Sequence, residues 1–146
     1  MANQEFKANV KLEEGLFVEA DVRGFKVNMD EPEQLGGTNK AMNPVELLLC
    51  SLGGCLLISI TAFSKELQIE LKDCQVEVTG DLDPDGFFGK NKDVRVGFSQ
   101  IRYNLEIVTD APDEKIEKLF QLLKERCPVS DTLKGVEVVQ NYKVTK

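Results

Sequence analysis

Histidine and tryptophan are absent from this 146-residue chain, and cysteine is limited to four residues. Without imidazole there is no Cys–His pair, so cysteine hydrolase chemistry of that type is excluded. The four cysteines form no C-x-x-C pair. Cys50 and Cys55, five apart on an expected helix, point in different directions around its axis, which leaves no zinc-type ligand set. No basic stripe is present: 18 Lys and Arg stand against 25 Asp and Glu, for a net charge of −7. That balance argues against a nucleic-acid partner and favours solubility. No glycine-rich loop follows a strand and opens a helix, so nucleotide binding has no support. The N-terminus lacks a basic stretch followed by an apolar one, so no secretory signal is expected. A cytoplasmic, reducing location follows as the expectation, with the cysteines as thiols rather than structural bridges. The longest apolar stretch, Leu47 to Ile60, is broken by Ser51, Gly53, Gly54 and Ser59. It falls short of the roughly 18 apolar residues of a membrane span and reads as a buried helix.

Hydrophobic residues at 42% and charged residues at 29% are ordinary for a globular chain. The length suits one domain over residues 1–146, with no repeat or linker. Phe6, Ala8, Val10 and Leu12 alternate with polar residues, and Leu16, Val18, Ala20 and Val22 do so again after Gly15. A third short strand runs from Phe25 to Met29, which predicts an antiparallel meander with one wet face. A polar loop with Pro32 and Gly36-Gly37 leads to Asn43-Pro44, a helix start with an Asn cap and Pro in first position. The apolar residues of that helix cover every side, so it must be buried on every side. One domain of this size cannot surround it, which points to a dimer core.

Farther on, Cys74, Val76 and Val78 alternate as a strand, and Asp83-Pro84-Asp85-Gly86 reads as a turn. Val94, Val96 and Phe98 then give way to Ile101, Tyr103, Leu105 and Ile107, a change of phase that predicts a bulge near Ser99-Gln100. A second helix opens at Pro112, with Ile116, Leu119, Phe120 and Leu123 on one face, and ends before Pro128. A last strand covers Val136 to Val144. The class is α+β, in the order βββ–α–ββ–α–β.

Two cysteines stand in distinctive surroundings: Cys55 within the apolar helix after Gly53-Gly54, and Cys127 in Arg126-Cys127-Pro128-Val129-Ser130. A thiol reacts as its thiolate. Cys55 lies about three turns into its helix, beyond the reach of the helix dipole, so a reactive Cys55 needs a nearby cation. The chain has four arginines: Arg23, Arg95, Arg102 and Arg126. The alternative for any of these cysteines is plain packing as a small hydrophobe, as expected for Cys50 and Cys74.

The stretches Asp30-Glu31-Pro32, Gly36-Gly37-Thr38, Pro44-Val45-Glu46-Leu47-Leu48-Leu49 and Gly53-Gly54-Cys55, followed by Cys127-Pro128-Val129-Ser130, resemble the two signatures of the OsmC/Ohr family, the osmotically inducible and organic hydroperoxide resistance proteins. The resemblance, to its general OsmC-like branch, spans nearly the whole chain. It implies an intertwined homodimer in which antiparallel sheets pack around two central helices. It also implies a thiol-dependent peroxidase acting on small apolar hydroperoxides, with Cys55 as the peroxidatic and Cys127 as the resolving thiol. A dithiol reductant would restore the pair, with no metal or other cofactor. Family members carry a glutamate directly after the proline, paired with an arginine that holds the thiolate. Here Val45 takes that place and Glu46 follows, nine residues before Cys55 and so on the opposite side of an ideal helix. Glu46 and Arg23 are the positions that the resemblance offers for the pair. Two other readings stay open on the same residues: a non-enzymatic dimer binding a small apolar ligand, and a cysteine redox sensor.

Overall fold

A computed structural model describes residues 1–146. The chain forms two compact units, residues 1–48 and 49–146, and one long helix crosses the boundary between them.

The first unit is the expected meander. Strands β1 (Asn9–Glu14), β2 (Phe17–Val22) and β3 (Phe25–Met29) pair antiparallel in the order β1-β2-β3. Register opposes Leu12 to Val18, Val18 to Met29 and Ala20 to both Val10 and Val27, so the apolar alternation of all three strands falls on one face. Val10, Leu12, Phe25 and Val27 are all exposed, where one dry face was expected. The loop after β3 is tightly organised. The Asp30 N–H donates to the Met42 carbonyl (3.2 Å) and closes its ends. The buried Asp30 carboxylate accepts from the backbone of Glu31, Thr38 and Lys40 and from the Thr38 hydroxyl. The Thr38 hydroxyl is the chief cause holding this carboxyl below its usual range.

Helix α1 (Pro44–Glu66) starts at the predicted cap. The Asn43 side chain accepts from the Glu46 N–H (2.9 Å), and the Glu46 carboxylate accepts from the Asn43 N–H (2.8 Å). This reciprocal pair is a capping box. At 23 residues α1 is longer than the apolar stretch alone suggested. By length and composition it could cross a membrane, a property that core helices of globular proteins share. Leu52, Leu56 and Ile60 are buried, and each such side chain stabilises the fold by roughly 1.5–3 kcal/mol. Burial on every side is not achieved within one chain: Ile58 is 74% exposed, and Val45 and Leu48 are also exposed.

The second unit carries a mixed sheet in the order β4-β5-β6, made of β4 (Asp73–Asp81), β5 (Gln100–Val108) and β6 (Glu137–Thr145). β4 pairs antiparallel with β5, as expected. β6 runs parallel to β5, because the chain crosses over through α3 (Asp113–Arg126) and the short α4 (Pro128–Thr132). The turn at Asp83 is a short helix, α2 (Pro84–Phe87), with the Asp83 side chain as its cap. Residues 88–99 are irregular, where a strand through Val94–Phe98 was expected. The β4–β5 register is unbroken from Asp73–Val108 to Asp81–Gln100, so the change of phase marks where β5 begins and not a bulge. Leu52, Leu56 and Ile60 of α1, Ile101 to Ile107 of β5, and Ile116, Leu119 and Leu123 of α3 form one buried cluster. A β-carbon on Gly53 would lie 3.4 Å from both Val76 and Val78, so this glycine lets α1 sit close against β4.

Candidate active site: a thiol pair

α1 and the end of α3 bring two of the predicted site residues together. Cys55 Sγ and Cys127 Sγ lie 3.2 Å apart, with the Cys127 thiol donating, and both cysteines are free. A disulfide bond is about 2.05 Å long, so roughly 1 Å of approach separates this contact from a bond. The two thiols therefore need a side-chain adjustment rather than a refolding step to become linked.

Local sequence fixes each partner. Cys127 ends α3, where its N–H donates to the Leu123 carbonyl (3.2 Å). Pro128 stops that helix and begins α4, so Cys127 sits between two helices with only 1% of its surface exposed. Burial pushes its thiol up to about 11, and hydrogen bonding to Cys55 adds to this. The backbone N–H groups of Ser130 and Val129 work in the opposite direction. Cys127 is thus a protonated donor at neutral pH. Cys55 is partly exposed on α1, and its sulfur also meets the hydroxyl of Ser59 one turn farther on, at 4.0 Å. The apolar Ile58 beside it is largely exposed.

Behind Cys127, the Tyr103 hydroxyl contacts that of Tyr142 (3.2 Å), which donates to Gln140 (3.0 Å). The Tyr142 ring stacks on Phe120 at 4.0 Å. Burial holds the Tyr103 phenol far above its usual range. Phe120 lies on α3, seven residues before Cys127.

The other two predicted residues are engaged locally in the first unit. Glu46 closes the capping box of α1. Arg23 occupies the tight turn between β2 and β3 in a left-handed conformation (φ 57°), with its guanidinium 5.3 Å from the Phe25 ring centre. Arg126, although adjacent to Cys127, is directed elsewhere. Its guanidinium lies over Phe63 at 5.9 Å and pairs with Glu66 at 3.5 Å. Those partners stand about 12–16 Å beyond Cys55 along the α1 axis. Cys74, half-buried on β4, is pushed up to about 11 by burial, and Cys50 is exposed. Ser59 and the tyrosine pair were not singled out by the sequence reading. A serine four residues after the cysteine on one helix was the available signal for Ser59.

The family model for OsmC-like proteins matches residues 37–140, a span that holds both thiols. The chain belongs to the OsmC-like family. Among curated relatives it is similar to Protein YhfA of Escherichia coli strain K12, with 27% identity over 143 residues, 94% of this chain and 97% of the relative. It is also similar to a hydroperoxide reductase of Mycoplasma pneumoniae, with 27% identity over 112 residues, 74% of each chain. Among solved structures, an OsmC-like protein from Mycoplasma pneumoniae superposes with a TM-score of 0.86 at 21% identity, covering 99% of this chain and all of that one. The α+β architecture of two three-stranded sheets with helices is therefore that of the OsmC-like fold.

Proposed function

We propose that this chain is a thiol-dependent peroxidase for organic hydroperoxides, cycling between the Cys55–Cys127 dithiol and its disulfide. The observation that carries the reading is the 3.2 Å contact between the two sulfurs. Family membership and the relative named hydroperoxide reductase support the same chemistry.

In the first step the Cys55 thiolate attacks the terminal oxygen of the hydroperoxide. The O–O bond breaks, an S–O bond forms, and the alkoxide leaves and takes a proton from solvent to become the alcohol. In the second step the Cys127 sulfur attacks the Cys55 sulfenic acid. The S–S bond forms, the S–O bond breaks, and the sulfenic oxygen leaves as water with the Cys127 proton. A dithiol reductant then returns the pair to thiols by exchange. A protonated Cys127 suits this order, because it donates to the Cys55 thiolate while waiting and competes poorly for peroxide. The exposed Ile58 beside Cys55 supports a small apolar substrate.

Arg23 and Glu46 belong to the proposal as the arginine and carboxylate that the family resemblance implies. Glu46→Gln keeps an acceptor for the helix cap and removes only the charge, so it separates a catalytic role from a capping one. A homodimer and a cytoplasmic location are part of the same reading. The exposed apolar faces of the first sheet and of α1 support the dimer.

The reading is tested by peroxide consumption with a small dithiol as reductant. Cys55→Ser is expected to fall to the uncatalysed rate. Cys127→Ser is expected to accumulate a sulfenic acid that a dimedone probe captures at Cys55. Unchanged turnover in Cys55→Ser would remove the assignment.

A further inference from the structure

The chain has no histidine to serve Cys55, and the neighbouring Arg126 is held by Phe63 and Glu66. What does meet the Cys55 sulfur inside the second unit, besides Cys127, is the Ser59 hydroxyl at 4.0 Å. Ser59 is 8% exposed and sits in the buried stripe of α1 with Leu52, Leu56 and Ile60. Helical spacing of four residues places it on the same side as Cys55. Serines and threonines within helices can donate back to the carbonyl four residues earlier. Thr61 does so, to Leu57 at 2.8 Å. The Ser59 hydroxyl faces the thiol instead.

We propose that Ser59 is a catalytic residue of this site, donating a hydrogen bond to the Cys55 thiolate and then to the oxygen of the sulfenic acid. The proposal rests on the peroxidase reading above but concerns the thiolate itself. A distance of 4.0 Å is long for a neutral pair. Hydrogen bonds in resting active sites are often long and tighten when charge develops. A thiolate attracts a hydroxyl donor more strongly than a thiol does, and hydrogen bonds to charged groups are the strong ones. A hydroxyl held one turn away on the same helix needs only a small adjustment to reach the charge. The same donor serves the second step. Hydrogen bonding to the sulfenic oxygen stabilises negative charge there as the S–O bond breaks, and the oxygen still leaves as water with the proton of Cys127.

Ser59→Ala removes the donor without burdening the fold, since alanine is the best helix former. The readout is iodoacetamide alkylation of reduced protein, quantified at Cys55 by peptide mapping. The Cys55 rate at pH 7 is expected to fall roughly tenfold in Ser59→Ala, the size of one charge-assisted hydrogen bond. Rates are expected to converge with wild type in strong alkali, where the donor no longer decides the thiolate fraction. Ser59→Thr, which keeps a hydroxyl, is expected to recover most of the neutral-pH rate. Equal rates for wild type and Ser59→Ala at pH 7 would overturn the proposal. A loss that persists unchanged in alkali would also overturn it, because that pattern means altered access. Alkylation involves no peroxide, so a protein that consumes none but shows the Ser59 effect would defeat the peroxidase reading alone.

Discussion

Burial decides what Cys127 can be. An ordinary cysteine ionises near 9.0, and in the folded chain burial pushes Cys127 up to about 11. Between those values the folded protein holds a proton that the unfolded chain has released. The contribution to stability is fully present below about pH 9 and is lost as pH rises through about 11. Cys74 shifts in the same direction to about 11 and adds to the effect. Urea unfolding under reducing conditions at pH 8 and pH 11 should therefore show wild type losing more stability than a Cys74→Ala/Cys127→Ala variant. Equal losses would contradict this. At the residue scale the sequence made Cys55 and Cys127 legible, because each sits in a signature and in unusual surroundings. Their 3.2 Å contact was not legible, since it depends on how α3 packs on α1. Glu46 was offered for the charge pair, but its spacing to Asn43 also fits a capping box, and that is where its carboxylate is.

At the scale of elements, the loop between β3 and α1 is tightly constrained. A β-carbon on Gly37 would stand 1.9 Å from the Glu31 carbonyl oxygen, a clash with main chain that no rotamer can relieve. Gly37→Ala is expected to cost at least about 2 kcal/mol, against a few tenths for an exposed substitution such as Lys11→Ala. Thermal or urea unfolding of the two variants checks this. In the core, Leu56→Ala should cost about 2–5 kcal/mol, since the side chain is 1% exposed between α1 and its neighbours. Periodicity located β2 to β4, β6, α1 and α3 well, because each has a sustained pattern, whereas Phe6 and Ala8 of the first alternating run lie ahead of β1. It failed over Val94–Phe98, where three alternating apolar residues belong to an irregular segment. Phe98 is buried there with its ring against Gly80, so alternation reflected packing and not a strand. The short α4 escaped notice because five residues are too few for a helical period. The parallel pairing of β6 is a matter of crossover and carries no local signal.

At the scale of the whole molecule, the apolar pattern exceeds what one chain buries. Val10, Leu12, Phe25, Val27 and Ile58 are exposed, and the all-round apolar character of α1 led to the same dimer expectation from sequence. Sedimentation should give twice the chain mass of 16.3 kDa, and Ile58→Glu should shift the protein towards the single chain. A wild-type protein that sediments as one chain would remove the dimer from the account. The central claim is that Cys55 and Cys127 form a peroxide-driven redox pair. It is tested most directly by adding one equivalent of an organic hydroperoxide to fully reduced protein, then counting thiols and mapping peptides. The account predicts rapid loss of two of the four thiols and a Cys55–Cys127 linked peptide. Four thiols persisting for minutes would contradict it.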